Sequence, residues 1–475
     1  MKSRLSILSE NEIEEIHRCS VGILERVGFL VGSPRVVKLL VNAGATVDPH
    51  RKTVKIPTSL VEECLRKHRS SFTVNARERE NELPIDLDRM YTHPGGGCFN
   101  ILDVDTGRVR LATTKDVEVL TRLIDASSNI HQCEMLDYAS DVAQQVRDFH
   151  TVATMLRNTT KPCGIMAYTD RNLKVILRLA EAVVGGEEEL RKHPIVSFGA
   201  CPTSPLELGE DAANQLVTAA GYALPIGILP NPLAGGTSPV TLAGTLVQQN
   251  VEYLICHVIV QLVNPGNPMF YASRSVGMDM RTGLSAGGVE FGLMSAASVQ
   301  LAAHYKIPSD LYGLGADSKT LDEQAAFEKA MIGLLPALAG ANFLSGAGEI
   351  EMGMTASPEQ LVIDNEILGL ILRAVRGINV NSDTLATGLI EKIGPGGHYL
   401  SSEHTRRYYS TEHHIAELSD RTTRAQWEKA QSKDIVQRAH EKMNQLLKDH
   451  PTQPLDRGIE KEFQGILSEA DREAA

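Results

Sequence analysis

Apolar and polar residues follow two different patterns along this chain. From Ser9 to Asn42 the apolar residues recur at helical spacing, as at Ile13, Ile16 and Val21. Beyond Gly95, short apolar runs alternate with longer amphipathic stretches. This second pattern is typical of parallel βα units and predicts an α/β fold.

Eight apolar runs of strand length follow one another in this second part, at 98–102, 132–138, 163–168, 195–200, 225–229, 269–273, 310–314 and 341–345. Helical patterns separate them, at 114–127, 171–184, 209–222, 241–263, 290–305, 322–339 and 358–375. Eight strand–helix units over roughly 280 residues predict a (β/α)₈ TIM barrel. An open, doubly wound sheet is the alternative, but no GxGxxG sequence follows the first run.

The pattern divides the chain into three parts. Residues 1–94 are predicted to form a helical N-terminal extension, residues 95–390 the catalytic barrel, and residues 391–475 a C-terminal segment with a helical tail. That last segment begins with turn-rich sequence from Ile393 to Tyr409 and continues with charged helices from Arg421.

Charge and cysteine content narrow the function classes. The net charge of −12 and the lack of a Lys/Arg block argue against a nucleic-acid partner. Seven scattered cysteines without CxxC pairs are expected to be reduced thiols. The sequence shows neither a signal-peptide pattern nor a long apolar span, so we expect a cytoplasmic protein that does not enter a membrane.

The loops after the predicted strands are where a barrel enzyme carries its working groups. They lack the spacing of common signatures such as HExxH, the P-loop and GxSxG. Lys319 is a candidate Schiff-base lysine, although a role in capping the next helix is the favoured interpretation. Glu349 and Glu351 should point the same way in extended backbone, and paired acids suggest cation recognition.

Aromatic residues in or at the ends of the predicted strands could form the walls of a site for a small organic cation. They are Tyr168, Phe198, Tyr271, Tyr312 and Phe343. Three loop histidines could also reach the barrel mouth, although lone histidines of this kind are more often structural or exposed: His93, His398 and His404.

At these loops the sequence resembles the trimethylamine methyltransferase family. The similar segments run in order along the predicted barrel and tail. They include PGGGCFNILDVDTGRVRLAT from Pro94, SFGACPTSPL from Ser197, LAGGTSPVTLAGTLVQQN from Leu233, ADSKTLDEQAAFEKA from Ala316, LAGANFLSGAGEIEMGMTASPEQLVIDNEI from Leu338 and GPGGHYLSSEHTRRYY from Gly394.

This resemblance implies a (β/α)₈ barrel that transfers methyl groups from methylated amines to cob(I)alamin. The cobalamin is carried by a separate corrinoid-binding protein, so no tightly bound cofactor and no metal are expected in this chain. Trimethylamine-specific members of the family carry pyrrolysine inside the barrel. The residues from Asn342 to Gly348 are all standard amino acids. The resemblance therefore points to the branch that acts on quaternary amines such as glycine betaine.

A quaternary amine leaves as a neutral tertiary amine, so positioning alone can support methyl transfer and no catalytic residue is predicted. We expect weakly polar walls with few carboxylates, because the charge on nitrogen disappears in the transition state. Arg274 is the predicted anchor for a substrate carboxylate, and Arg281 is its structural rival. Backbone amides of glycine-rich loops are the other candidates: Gly235, Gly236, Gly346 and Gly348.

The predicted substrate-binding set is therefore Tyr168, Phe198, Tyr271, Arg274, Tyr312, Phe343, Gly348, Glu349, Glu351 and His398. Two other functions stay open at this point: a zinc-dependent methyltransferase for another methylated compound, and a betaine-binding subunit without catalysis. The sequence leaves the specific amine, the corrinoid partner and self-association into a homo-oligomer undecided.

Overall fold

The structure, a computed structural model, describes residues 4–474. The N-terminal region combines three helices with two small sheets. Its elements are α1 (Glu10–Arg26), β1 (Phe29–Val31), α2 (Pro34–Asn42), β2 (Thr46–Val47), β3 (Thr53–Lys55), α3 (Thr58–Leu65), β4 (Phe72–Val74) and β5 (Leu83–Ile85).

The central region alternates strands and helices. Its first half contains β6 (Tyr91–Pro94), β7 (Asn100–Asp103), β8 (Arg108–Leu111), α4 (Thr114–Ala126), α5 (Arg147–Asn158), β9 (Cys163–Ile165), α6 (Asp170–Val184), α7 (Glu187–Lys192), β10 (Val196–Ala200), β11 (Glu207–Leu208), α8 (Glu210–Gly221) and β12 (Ile226–Ile228). Its second half contains β13 (Leu233–Ala234), α9 (Leu242–Val263), β14 (Met269–Ser273), β15 (Val276–Asp279), β16 (Leu284–Ala286), α10 (Val289–Tyr305), β17 (Ser309–Tyr312), α11 (Glu323–Ala339), β18 (Phe343–Ala347), β19 (Glu349–Ile350), β20 (Thr355–Ala356) and α12 (Pro358–Arg376).

Six helices complete the chain: α13 (Ser382–Leu385), α14 (Thr387–Ile393), α15 (Glu403–Glu412), α16 (Arg424–Lys429), α17 (Ile435–Asp449) and α18 (Arg457–Ala474). The last two pack on the body of the protein, α17 against α12 and α18 against α6. Helices α13, α14 and α15 contain no buried residue.

The architectural centre is a curled sheet of seven parallel strands, in the order β6-β18-β17-β14-β12-β10-β9. Residues 131–133 lie between its two edge strands. His131 N–H donates to the carbonyl of Thr92 at 2.8 Å, and Cys133 N–H donates to that of Pro162 at 2.8 Å. This short segment therefore contacts both edges of the sheet.

Most predicted strands and helices occur within a few residues of their expected positions. The run at 269–273 coincides with β14, and the helical pattern at 241–263 with α9. Helix α5 was not predicted. The segment 132–138, predicted as a strand, contributes only isolated bridges at Cys133 and Asp137.

The predicted first strand at 98–102 is wrong as a member of the large sheet. That sequence is largely β7, which belongs to a separate four-stranded sheet with β8, β19 and β20. The first strand of the large sheet is β6, so this sheet begins within the segment 1–94. Its sequence YTHP is no apolar run: Thr92 and His93 are buried as hydrogen-bonded polar side chains.

Helix α9 is the one helix within residues 4–474 whose length and composition would allow it to cross a membrane. Most of it is buried between the large sheet and helices α1, α3 and α8. It also carries buried polar side chains, among them Gln249, Asn250 and Glu252, which make hydrogen bonds inside the protein. These properties are those of a core helix.

Candidate functional site

A cavity of about 310 Å³ opens at the carboxyl edge of the large sheet. Five aromatic side chains line it: Phe198, Phe270, Phe291, Tyr312 and Phe343. Polar and charged side chains line it as well, among them His93, Gln132, Glu134, Arg274, Asp310 and Glu349. Its size is at the lower end of the range for small-molecule sites, and its position is the one expected for parallel α/β sheets.

Arg274 follows β14 and is fixed by β17. Its Nη1 donates to the carbonyls of Ser273 and Asp310, both at 3.0 Å, and its Nη2 lies 3.3 Å from each carboxylate oxygen of Asp310. The Nε edge of the guanidinium has no acceptor within the described chain. One edge of Arg274 therefore holds the protein together while the other can receive an anionic group.

His93, at the end of β6, joins the same charged group. Its Nε2 lies 3.1 Å from Oδ1 of Asp310, and its Nδ1 lies 3.8 Å from Oε1 of Glu134. Burial by itself would lower the pKa of His93, but the neighbouring Asp310 and Glu134 raise it. Burial would raise the pKa of Asp310, but Arg274 and His93 hold it below its ordinary value. Arg274 and His93 therefore hold Asp310 as an anion.

Glu134 and Glu349 differ from Asp310 in the direction in which their pKa is shifted. Burial raises the pKa of Glu134, and burial raises the pKa of Glu349 well above its ordinary value. Glu134 accepts a hydrogen bond from Gln132 at 2.5 Å. Neither carboxyl oxygen of Glu349 has a hydrogen-bond partner among residues 4–474, although the residue is only 1% exposed.

Two glycines make room for these acids. A Cβ on Gly95 would overlap the carboxyl group of Glu349, and one on Gly164 would overlap that of Glu134. Gly95 is held opposite the end of β18 by a hydrogen bond from its N–H to the carbonyl of Ala347 at 3.0 Å. Glycine is therefore required where the backbone comes within contact distance of each acid.

Five of the ten predicted site residues line the cavity: Phe198, Arg274, Tyr312, Phe343 and Glu349. The prediction of few carboxylates is wrong, because Glu134, Asp310 and Glu349 all face the same space. The other five predicted residues lie elsewhere: Tyr168, Tyr271, Gly348, Glu351 and His398.

Local geometry explains why the predicted aromatic residues Tyr271 and Tyr168 lie outside the cavity. In β14 side chains alternate between the two faces, so Phe270 lines the cavity and Tyr271 points to α9, where Gln249 donates to its hydroxyl at 3.2 Å. Tyr168 lies outside the cavity, with its ring stacked at 5.6 Å on that of Tyr138, and is 37% exposed.

The remaining exceptions follow from the backbone after β18. Strand β19 ends at Ile350, and Glu351 has a φ of 53°, so Glu349 and Glu351 do not point the same way. Glu351 instead accepts a hydrogen bond from Thr355 at 2.5 Å. The Gly348 N–H donates to Asp364 at 2.7 Å and is not free for a ligand. His398 is exposed in the turn between α14 and α15.

The other candidates are also engaged elsewhere. The N–H groups of Gly235 and Gly236 donate to backbone carbonyls of their own loop. Lys319 is exposed and donates to the carbonyl of Asp317. Arg281 pairs with Asp279 on the surface. Arg274 is therefore the arginine that the structure places in the cavity.

Sequence reasoning missed Glu134, Asp310, Gln132 and Phe270. The sequence did contain a signal for Glu134. Gln132 and Glu134 are polar residues two positions apart at the start of an apolar run. This spacing puts two side chains on one face of a strand. Polar residues inside such a run mark a face that meets a site.

A parallel α/β sheet with a mixed charged and aromatic cavity at its carboxyl edge is the arrangement of an enzyme that binds a small molecule. Comparison with known proteins gives the family. Residues 2–474 match the trimethylamine methyltransferase (MTTB) family. The chain belongs to this family and is a methyltransferase.

Three relatives illustrate the similarity. A trimethylamine methyltransferase of Methanosarcina barkeri (strain Fusaro) is 36% identical over 98% of this chain and 96% of its own length. One of Desulfitobacterium hafniense (strain DCB-2) is 34% identical over 99% of this chain and 95% of its own length. A glycine betaine methyltransferase of Desulfitobacterium hafniense (strain Y51) is 32% identical over 99% of this chain and 98% of its own length.

Among solved structures, the monomethylamine methyltransferase of Methanosarcina barkeri aligns with a TM-score of 0.49 and 12% identity, over 93% of each chain.

Proposed function

We propose that this protein transfers a methyl group from a quaternary amine of the betaine class to cob(I)alamin carried by a separate corrinoid-binding protein. The observation that supports this most directly is the charge layout of the cavity. Aromatic walls and two protonatable acids, Glu134 and Glu349, share about 310 Å³ with the free edge of Arg274. A small zwitterion with a methylated ammonium group and a carboxylate complements this layout.

The methyl transfer requires positioning of the donor but no proton from the protein. The nucleophilic cobalt of the acceptor forms a bond to the methyl carbon while the carbon–nitrogen bond breaks, and the electron pair of that bond stays on nitrogen. The donor leaves as a neutral tertiary amine, so no proton has to be supplied. The residues of the cavity need to hold the donor and aim one methyl group at the acceptor.

The choice of a quaternary amine over trimethylamine rests on the residue types of the whole chain. Pyrrolysine marks the trimethylamine-specific members, whereas every residue in this sequence is a standard amino acid. The glycine betaine methyltransferase that is 32% identical over 99% of this chain places an enzyme of this substrate class among its relatives.

The proposal extends to the setting of the reaction. A closed eight-stranded barrel is supported by the hydrogen bonds of residues 131–133 to both edges of the sheet. Its mouth would admit the corrinoid-binding protein. We further propose that the chain itself holds no tightly bound cofactor and works in the cytoplasm.

The direct test is methyl transfer by the purified protein. Incubation with cob(I)alamin under reducing conditions and with glycine betaine, carnitine, choline or trimethylamine should convert the corrinoid spectrum to that of methylcobalamin. We expect a betaine to react fastest and trimethylamine to be a poor donor.

Three outcomes would contradict this proposal. Equal or faster turnover of trimethylamine would assign the protein to that substrate instead. Betaine binding without any methylcobalamin, even with a corrinoid-binding protein present, would indicate a binding subunit. Loss of turnover on removal of stoichiometric zinc would favour a zinc-dependent methyltransferase.

A further inference from the structure

Of the three carboxyl groups that line the cavity, that of Glu349 has no hydrogen-bond partner among residues 4–474. Asp310 is paired with Arg274 and His93, and Glu134 is bonded to Gln132. Both oxygens of Glu349, by contrast, are without a partner among the described residues, in a residue that is 1% exposed. A buried carboxyl group in this state is costly unless a ligand compensates it.

The surroundings of Glu349 show what such a ligand can be. On one side the backbone of Gly95 touches the carboxyl group, and Gly353 lies nearby, so no side chain of either residue competes for the space. Arg274 and the backbone N–H of Gly96 favour the carboxylate, and Asp364 disfavours it, but the Gly96 N–H does not reach hydrogen-bond geometry. Asp364 is itself compensated by Lys329 at 2.8 Å, and Cys98 is the buried thiol on the same side. Glu134, His93 and Asp310 line the same cavity.

We propose that Glu349 is a specificity-determining residue that contacts the positively charged nitrogen end of the donor, while Arg274 receives its carboxylate. This inference rests on the proposed function and adds the orientation of the donor to it. A quaternary ammonium group offers no N–H, so it pairs with a carboxylate by charge alone. It therefore suits an acid that the protein itself leaves without hydrogen bonds.

The raised pKa of Glu349 moderates this interaction. Burial disfavours the ionised form of this acid, so pairing with a cation must offset that burial, and the net attraction is smaller than for an exposed carboxylate. The donor cation is thus selected without being held so tightly that the loss of its charge in the transition state is opposed.

The test compares glycine betaine with tert-butylacetate, in which carbon replaces the charged nitrogen, by calorimetry on the intact protein. Wild type should bind betaine at least about tenfold more tightly, the range of a close charge pair. Glu349→Gln should remove most of this preference. Glu351→Gln is the matched control, because Glu351 is a neighbouring carboxylate outside the cavity, and it should keep the preference.

Proton release gives a second readout that needs no variant. Titration of betaine in buffers of different ionisation enthalpy should show release of about one proton at a pH below the pKa of Glu349 in the free protein. Betaine affinity should rise with pH until Glu349 is ionised, and Glu349→Gln should abolish both effects.

The inference would be overturned if Glu349→Gln weakened both ligands equally, or if betaine bound wild type without proton release and without preference over tert-butylacetate. Failure of every methylated ammonium ion to bind would instead overturn the proposed function, on which the inference depends.

Discussion

Arg274 illustrates how a single residue serves both structure and binding. Its Nη groups donate to the carbonyls of Ser273 and Asp310 and lie beside the carboxylate of Asp310, while its Nε has no acceptor among the described residues and the side chain lines the cavity. Replacement by alanine would leave the buried Asp310 with His93 as its remaining partner. A loss of stability could then not be separated from a loss of ligand affinity. Lysine keeps a positive charge for Asp310 but lacks the two-edged geometry of the guanidinium.

Arg274→Lys should therefore weaken glycine betaine binding by about 1.5–3 kcal/mol, the range for a hydrogen bond to a charged group. Choline has no carboxylate, so its binding should change much less. Arg281→Lys, on the surface, is the control and should change neither. Equal losses for both ligands in calorimetry would show that Arg274 braces the loop rather than anchors the donor.

At the scale of elements, a buried ion pair fixes the turn that presents Glu349. Lys329 of α11 donates to Asp364 of α12 at 2.8 Å and to the carbonyls of Leu314 and Gly346. Asp364 also accepts the N–H of Gly348 at 2.7 Å. Both side chains are fully buried, and burial lowers the pKa of Lys329 and raises that of Asp364. The pair joins two helices to the end of β18.

Lys329→Met should reduce the free energy of unfolding by about 3–5 kcal/mol, because it leaves Asp364 as an uncompensated buried charge. Adding Asp364→Asn removes that charge and should restore part of the loss. Lys319→Met, at an exposed lysine in the loop before α11, should stay within about 0.5 kcal/mol of wild type. Urea unfolding measures all three; a double variant less stable than Lys329→Met would contradict this account.

At the scale of the whole molecule, the C-terminal tail is part of the body rather than an appendage. The apolar face of α18 buries Phe463, Ile466, Leu467 and Ala470 and packs on α6. The guanidinium of Arg157 lies 5.3 Å from the centre of the Phe463 ring and also pairs with Glu460 at 2.9 Å. Residues separated by some 300 positions, such as Arg157 and Glu460, thus share one cluster.

Phe463→Ala should lower stability by about 3–5 kcal/mol, the usual cost of removing a fully buried aromatic side chain. Phe327→Ala is the matched control, since Phe327 is 56% exposed on α11 and its loss should change stability little. Thermal unfolding followed by circular dichroism checks both. Similar midpoints for the two variants would mean that α18 adds little to the stability of the body.

The sequence by itself determined the α/β class and most of the helices and strands. Alternating strand and helix periods are local properties, so β14, α9 and α12 occur where the pattern predicts them. The position of Arg274 after a strand likewise sufficed to place it at the carboxyl edge of the sheet. The apolar pattern did not predict strand β6. Its buried residues Thr92 and His93 are polar, and they are stabilised by hydrogen bonds to residues distant in sequence.

Only the tertiary structure decided which acids line the cavity and which of them have a partner. Gly95 and Glu349 are far apart in sequence, and the room that one leaves for the other exists only when β6 and β18 pair. The φ of Glu351 turns it away, although its sequence spacing suggested the opposite. Whether an acid is paired, orphaned or neutral depends on burial and on charges brought from other elements, because the electrostatic free energy of a group is set by its surroundings in space.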